Sequence, residues 1–315
     1  MKIAILESLG VSRQEMEMRK KPFEDMGHTF VEYPKTTDKE TLIAELSGAD
    51  AMIIANMPMP SEVISAADSL KFIDVAFTGV DHVGLDARRE KKIAVSNASG
   101  YSNEAVSELV LGMVLSIARN MRAVEDRCRA GGTKDGLVGW EIKGKTVGIV
   151  GLGNIGKRTA EIFNAFGAKI LANSRTVHAD APEYVEQTSL DDLLSRSDIV
   201  VLHCPANEST KGLINKDRLA LMKSSAILIN AARGPVVVTR DLADALNNGV
   251  IAAAGIDVFD KEPPLSETEP LLRCKNCLVT PHVAFATKES MSLRAEIVFD
   301  NLAAWLSGKQ KNIIL

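Results

Sequence analysis

The run Gly151-Leu152-Gly153-Asn154-Ile155-Gly156 constrains this chain more than any other feature. It follows an apolar stretch (KTVGIV) and leads into an amphipathic one (KRTAEIFNAFG), so it reads as the turn between a buried strand and a helix. Glycines at this spacing arise by chance in many turns, but here each has a physical reason. Gly151 permits a tight turn, Gly153 lets backbone amides approach a pyrophosphate, and Gly156 lets helix and strand pack closely. Asn154 and Ile155 open the helix, whose N-terminus offers partial positive charge to an anion. The segment predicts a dinucleotide-binding turn.

Such a turn needs a parallel sheet around it. Six apolar runs supply one: TVGIVG, KILANS, IVVLHC, AILINAA, AAGIDV and LVTPHV. A second series, KIAIL, TFVEY, AMIIA, KFIDVAF and IAVSN, fills the N-terminal third, with helical spacing between the runs. Its first strand leads into ESLGVSR, which has no dinucleotide fingerprint, so this sheet needs another job. At 315 residues two domains are expected rather than one. The fold class is therefore α/β, with two Rossmann-like doubly wound parallel-sheet domains. Residues 99–286 form the nucleotide-binding domain, and residues 1–98 plus 287–315 form a flavodoxin-like partner. A long helix begins near Ser102, with Val106, Leu109, Val110, Met113, Val114 and Ile117 on one apolar face. Another, from about Lys288 to Leu306, returns to the first domain.

The strand after the fingerprint should end in an acid that grips the adenosine ribose. KILANSRT ends instead in Ser174-Arg175-Thr176. A carboxylate would repel a ribose 2'-phosphate, whereas an arginine and two hydroxyls would hold one. This predicts NADP (NADPH) as the preferred cofactor, with NAD possible. Cys204 and Pro205, closing the IVVLHC strand, are further cofactor-side candidates.

Three later segments place polar residues after strands, where open α/β sheets hold ligands. They are Asn230-Ala231-Ala232-Arg233-Gly234, then Gly255-Ile256-Asp257 running on to Glu262-Pro263, and Thr280-Pro281-His282-Val283-Ala284-Phe285. Together they supply a guanidinium, a carboxylate and an imidazole. With the fingerprint, in this order and spacing, the chain resembles the D-isomer-specific 2-hydroxyacid dehydrogenase family over nearly its whole length. The resemblance implies an NAD(P)-dependent oxidoreductase passing hydride between nicotinamide and a small 2-oxo/2-hydroxy acid, with D-specific product. It implies that Arg233, Glu262 and His282 are catalytic and that Asp257 holds the nicotinamide carboxamide. It makes residues 1–98 and 287–315 the substrate domain, with Thr78 and Gly79 meeting the substrate carboxylate. Tyr101 and Phe285 match substrate-pocket aromatics of the D-lactate dehydrogenase branch.

Two other readings share the scaffold: a nucleotide-sensing co-repressor-like interaction protein, and a formate- or phosphite-type dehydrogenase. The complete arginine, glutamate and histidine set disfavours the first, because a sensor has no need of it. A net charge of -4 without basic runs predicts no nucleic-acid partner. No stretch of about 18 apolar residues predicts a membrane span. Cys274 and Cys277 lack a second pair at similar spacing, so no metal is expected and they read as ordinary thiols. With no export signal the chain is expected in the cytoplasm. The long helix after Ser102 suits the family's homodimer interface.

Overall fold

The alternating apolar runs become two parallel sheets, one in each of two units. The computed structural model describes residues 1–84, 86–87, 91–262 and 264–314. Pro263, quoted above after Glu262, lies outside the described residues. One unit comprises Met1–Ser102 with Ala286–Leu315, and the other Asn103–Phe285.

The first unit contains β1 (Lys2–Ile5), α1 (Arg13–Asp25), β2 (Thr29–Glu32), α2 (Lys39–Glu45), β3 (Ala51–Ile54), α3 (Ser61–Ala66), β4 (Phe72–Val75) and β5 (Ala94–Asn97). The strands pair in the order β2-β1-β3-β4-β5, all parallel, which is the flavodoxin-like order. β3 and β4 are buried on both faces, which is why their sequences are continuously apolar except for Asp74. Ser12 and Asp38 start α1 and α2 by accepting the amides of Glu15 and Thr41.

The second unit opens with α4 (Asn103–Ala118) and α5 (Met121–Arg129). Then follow β6 (Thr146–Val150), α6 (Asn154–Ala165), β7 (Lys169–Asn173), β8 (Val185–Gln187), α7 (Leu190–Arg196) and β9 (Ile199–Leu202). The unit closes with α8 (Lys216–Leu221), β10 (Ile227–Asn230), α9 (Thr239–Asn247), β11 (Ala253–Ile256) and β12 (Cys277–Val279). The sheet order is β12-β11-β10-β9-β6-β7-β8. Chain order reverses between β6 and β9, so the fingerprint turn stands at the topological switch point. The sheet has seven strands where six apolar runs were read. The additional one, β8, is a three-residue edge strand (VEQ) with only Val185 buried, too short and polar to carry a period-two signal. On α4 the buried set includes Val106, Val110, Met113 and Val114 from the expected face, together with Ser107, which the apolar pattern did not mark.

The chain then returns to the first unit as α10 (Lys288–Leu306), started by a reciprocal capping box between Thr287 and Ser290. Phe299 packs on Phe23 at 5.7 Å, and Trp305 stacks on Phe72 at 4.7 Å. Asn301, fully buried on the same helix, donates to Asp74 at 3.0 Å and to the Asn97 carbonyl at 2.9 Å.

Candidate active site

The fingerprint glycines each meet a different constraint. Gly151 has φ +102°, and a Cβ there would lie 2.7 Å from the Cys204 nitrogen and the His203 carbonyl carbon. A Cβ on Gly156 would lie 2.1 Å from the Gly151 oxygen, so the α6–β6 contact admits no side chain. Gly153, by contrast, faces open space, and as the N-cap of α6 it offers no side chain to the helix amides. The first turn of α6, with Asn154 exposed and Ile155 half-buried, thus keeps its donors for an anion. This is a cradle that fits a dinucleotide pyrophosphate.

Ser174 follows β7 and is half-buried; its Oγ accepts the Leu152 amide at 3.2 Å. The hydroxyl therefore props the fingerprint turn and keeps its own proton to donate. Arg175 and Thr176 are exposed beside it. Cys204, after β9, is buried, and burial pushes its thiol up to about 11, so it is a wall and not a nucleophile. The exposed Pro205 follows, its carbonyl accepting the Thr210 hydroxyl at 2.6 Å.

Arg233, Asp257 and His282 follow β10, β11 and β12, neighbours at one edge of the same parallel sheet. Asn230, 1% exposed, shapes the first of these turns by donating to the Arg233 carbonyl at 3.0 Å and accepting the Ala232 amide at 3.1 Å. A Cβ on Gly234 would lie 2.0 Å from the Phe259 carbonyl carbon, so only glycine lets the Arg233 turn lie against the segment leading to Glu262. The His282 Nδ1 and Glu262 Oε2 atoms are 2.6 Å apart. The imidazole is 11% exposed and stands edge-on to Phe285, with ring centres 5.5 Å apart. His282 has φ +55°, an uncommon conformation for a residue with a side chain and one that persists only where its surroundings impose it.

Asp257 imposes it. Its backbone oxygen accepts the His282 amide at 2.7 Å. Its fully buried carboxylate accepts the Thr280 hydroxyl and the Val283 and Ala284 amides, the latter two at 2.9 Å. The residue matched to a carboxamide ligand thus holds the His282 loop in shape, a role that sequence matching did not provide.

The first unit holds the remaining candidates. Thr78 and Gly79 follow β4, and the Asn97 side chain donates to the Thr78 carbonyl at 2.7 Å. The buried Thr78 hydroxyl has no hydrogen-bond partner among the described residues. Tyr101 is 3% exposed, its ring 6.1 Å from that of Phe77.

One further group near the cradle carried no role in the sequence. His203 Nε2 lies 2.8 Å from the Thr159 hydroxyl, which donates to Ser107 at 3.0 Å; Ser107 in turn reaches the Ile155 carbonyl at 3.3 Å. Burial pushes His203 down to about 4, so it is neutral at physiological pH. This chain ties α4 and α6 to the end of β9 directly behind the fingerprint. Only the contact between distant segments reveals it. Cys274 and Cys277 are both buried and unbridged, and burial pushes Cys277 up to about 12. No helix among the described residues is long and apolar enough to cross a membrane.

Comparison with known proteins finds relatives across the whole chain. A family model described as "D-isomer specific 2-hydroxyacid dehydrogenase, NAD binding domain" matches residues 111–284. A hydroxypyruvate reductase of Blautia hydrogenotrophica is 35% identical, across all of this chain and 99% of its own. An acyclic imino acid reductase solved with NADPH and D-Arg superposes with a TM-score of 0.92 at 27% identity, covering both chains completely. A D-lactate dehydrogenase from Aquifex aeolicus, solved with NAD and lactic acid, gives 0.86 at 29% identity, covering 98% of this chain and 96% of that one.

Proposed function

Since the chain belongs to the D-isomer-specific 2-hydroxyacid dehydrogenase family, we propose that it reduces a small 2-oxo acid to the D-2-hydroxy acid, using NADPH in preference to NADH. The observation that carries this reading is the His282–Glu262 hydrogen bond, set at the edge of the sheet whose β6–α6 turn forms the dinucleotide cradle.

The bound cofactor supplies a hydride to the substrate carbonyl carbon. As charge develops on the carbonyl oxygen, His282 donates the Nε2 proton to it; in the reverse direction the same nitrogen takes the hydroxyl proton. Glu262 on Nδ1 fixes the ring's orientation and leaves Nε2 to face the substrate. Arg233 forks onto the substrate carboxylate and polarises the carbonyl, which fixes orientation. In the first unit, the Thr78 hydroxyl, the backbone of Gly79 and the Tyr101 side chain are the substrate-binding groups; in the second, Phe285 stands beside His282 as another. Asp257 acts through the His282 loop and as a ligand for the carboxamide.

The cofactor preference rests on Ser174, Arg175 and Thr176, which would hold the 2'-phosphate. One or two hydrogen bonds to a charged group, at about 1.5–3 kcal/mol each before discounting for exposure, correspond to roughly tenfold to several hundredfold in kcat/KM. Steady-state assays with glyoxylate, hydroxypyruvate and pyruvate, each with NADPH and with NADH, test both parts. Ser174→Asp with Arg175→Ala should reverse the preference. Equal or better use of NADH by the unmodified enzyme at low salt contradicts the cofactor reading, and absence of turnover with every acid contradicts the dehydrogenase reading.

A further inference from the structure

The strands of the first unit run parallel, so the loops after β1, β3, β4 and β5 leave one edge of its sheet, the edge at which open α/β sheets place ligands. A buried cation reaches that edge from α10. Arg294 is 4% exposed, its guanidinium 5.8 Å from the centre of the Tyr101 ring and hydrogen-bonded to that side chain. Its Nη2 lies 3.4 Å from the Ser8 carbonyl oxygen, two residues before Gly10. Gly10 crowds it further: a Cβ there would meet Nη2 at 3.2 Å.

A buried guanidinium is costly without a countercharge, and Glu7 supplies one. Glu7 is itself 4% exposed and accepts the Ala55 and Met57 amides at 2.8 Å each, while Lys35 pairs with its other oxygen at 2.7 Å. Lys35, Glu7 and Arg294 together carry a net positive charge. From Arg294 the contacts run through Tyr101 to Phe77, which immediately precedes Thr78. The cation thus touches Tyr101, itself a substrate-pocket candidate, whose ring neighbours the residue before Thr78. A strut joining α10 to the β1 loop would need only packing there. A charge held in a fixed orientation beside a phenol is suited to recognising an oxygen.

We propose that Arg294 is a specificity-determining residue that reads the substituent on C3 of the 2-oxo acid, favouring an oxygen-bearing tail such as a hydroxymethyl group over a hydrocarbon one. This rests on the dehydrogenase reading above and names the substrate class of that site. A hydrocarbon tail would face the guanidinium without offering an acceptor. Sites built to hydrogen-bond a substrate group reject analogues lacking it far more strongly than apolar pockets discriminate by size.

The test is kcat/KM with NADPH for hydroxypyruvate, pyruvate, 2-oxobutyrate and glyoxylate, the last having no C3. The unmodified enzyme should favour hydroxypyruvate over pyruvate by about tenfold or more. Arg294→Met should lower the hydroxypyruvate-to-glyoxylate ratio by about tenfold or more, and Arg294→Gln, which keeps a donor for the Ser8 carbonyl, should lower it in the same direction. Variants that fold and retain the original ratio, or lose both activities in equal proportion, overturn the proposal and leave Arg294 a structural strut. If neither variant folds, the unmodified enzyme still decides: pyruvate or 2-oxobutyrate used as well as hydroxypyruvate overturns it. No turnover of any acid by the unmodified enzyme instead refutes the dehydrogenase reading.

Discussion

Each unit buries an aspartate completely, and the two are treated in opposite ways. Asp257 stands at the end of β11, where three donors converge on its carboxylate and all three belong to the loop carrying His282. Asp74 lies inside β4, where one oxygen accepts Asn301 and the other has no partner among the described residues. Burial holds the Asp74 carboxyl protonated well above the usual carboxylate range. The network around it is structural: Asn301 also receives the Asn312 side chain at 2.8 Å, which tethers the C-terminal segment to the sheet. Burial of an acid therefore does not mark function by itself. Its partners do, because three donors from one loop make the aspartate the template of that loop's conformation.

The same isosteric change should separate the two positions. Asp257→Asn points an amide donor at donors, leaving at least one buried group unsatisfied at a cost of about 1–3 kcal/mol. Because His282 is held at positive φ by this residue, turnover should fall by about tenfold or more together with stability. Steady-state kinetics beside denaturant unfolding measure both. A variant with normal kcat and an unchanged unfolding midpoint would remove the templating role.

Thr280→Val sharpens the comparison by deleting one donor and keeping the two amides. The loss should be near 1 kcal/mol, with a smaller fall in kcat than for Asp257→Asn. A loss equal to that of Asp257→Asn would mean that the hydroxyl alone holds the loop.

At low pH, where the unfolded aspartate is protonated as well, Asp74→Asn should have the smallest effect, about 1 kcal/mol. Its sign should depend on pH. The native state keeps a proton on Asp74 that the unfolded chain releases, so this contribution is full below the unfolded value and is lost as pH rises through the raised folded one. Asparagine has no such loss, so the variant should gain on the unmodified protein between pH 5 and pH 8. Urea midpoints at the two pH values read this out, and a gap constant with pH contradicts a buried neutral acid.

Much of the architecture was legible because burial leaves a periodic trace. The five strands of the first sheet correspond to five apolar runs, and α10 spans Lys288–Leu306, where the apolar spacing placed it. β8 escaped because a three-residue edge strand buries a single side chain. Arg233, Glu262 and His282 could be located because short motifs carry them. The residues that hold them could not, because their partners are distant in sequence. Thr280 reaches 23 positions back to Asp257, and Asn301 reaches 227 positions back to Asp74. Arg294 and Glu7 give no local signal at all: a lone arginine on a helix and a lone glutamate after a strand are ordinary until the fold buries both.

In the proposed reaction His282 moves the proton, held by Glu262 and positioned by Asp257. The most direct test is kcat of His282→Ala with saturating NADPH and glyoxylate or hydroxypyruvate, beside a thermal melt confirming the fold. Because proton transfer by a positioned side chain contributes roughly 10²–10⁴-fold, a loss of that order is expected with the melt essentially unchanged. A folded His282→Ala enzyme that turns over within a few fold of the unmodified one would contradict the proton-transfer role of His282.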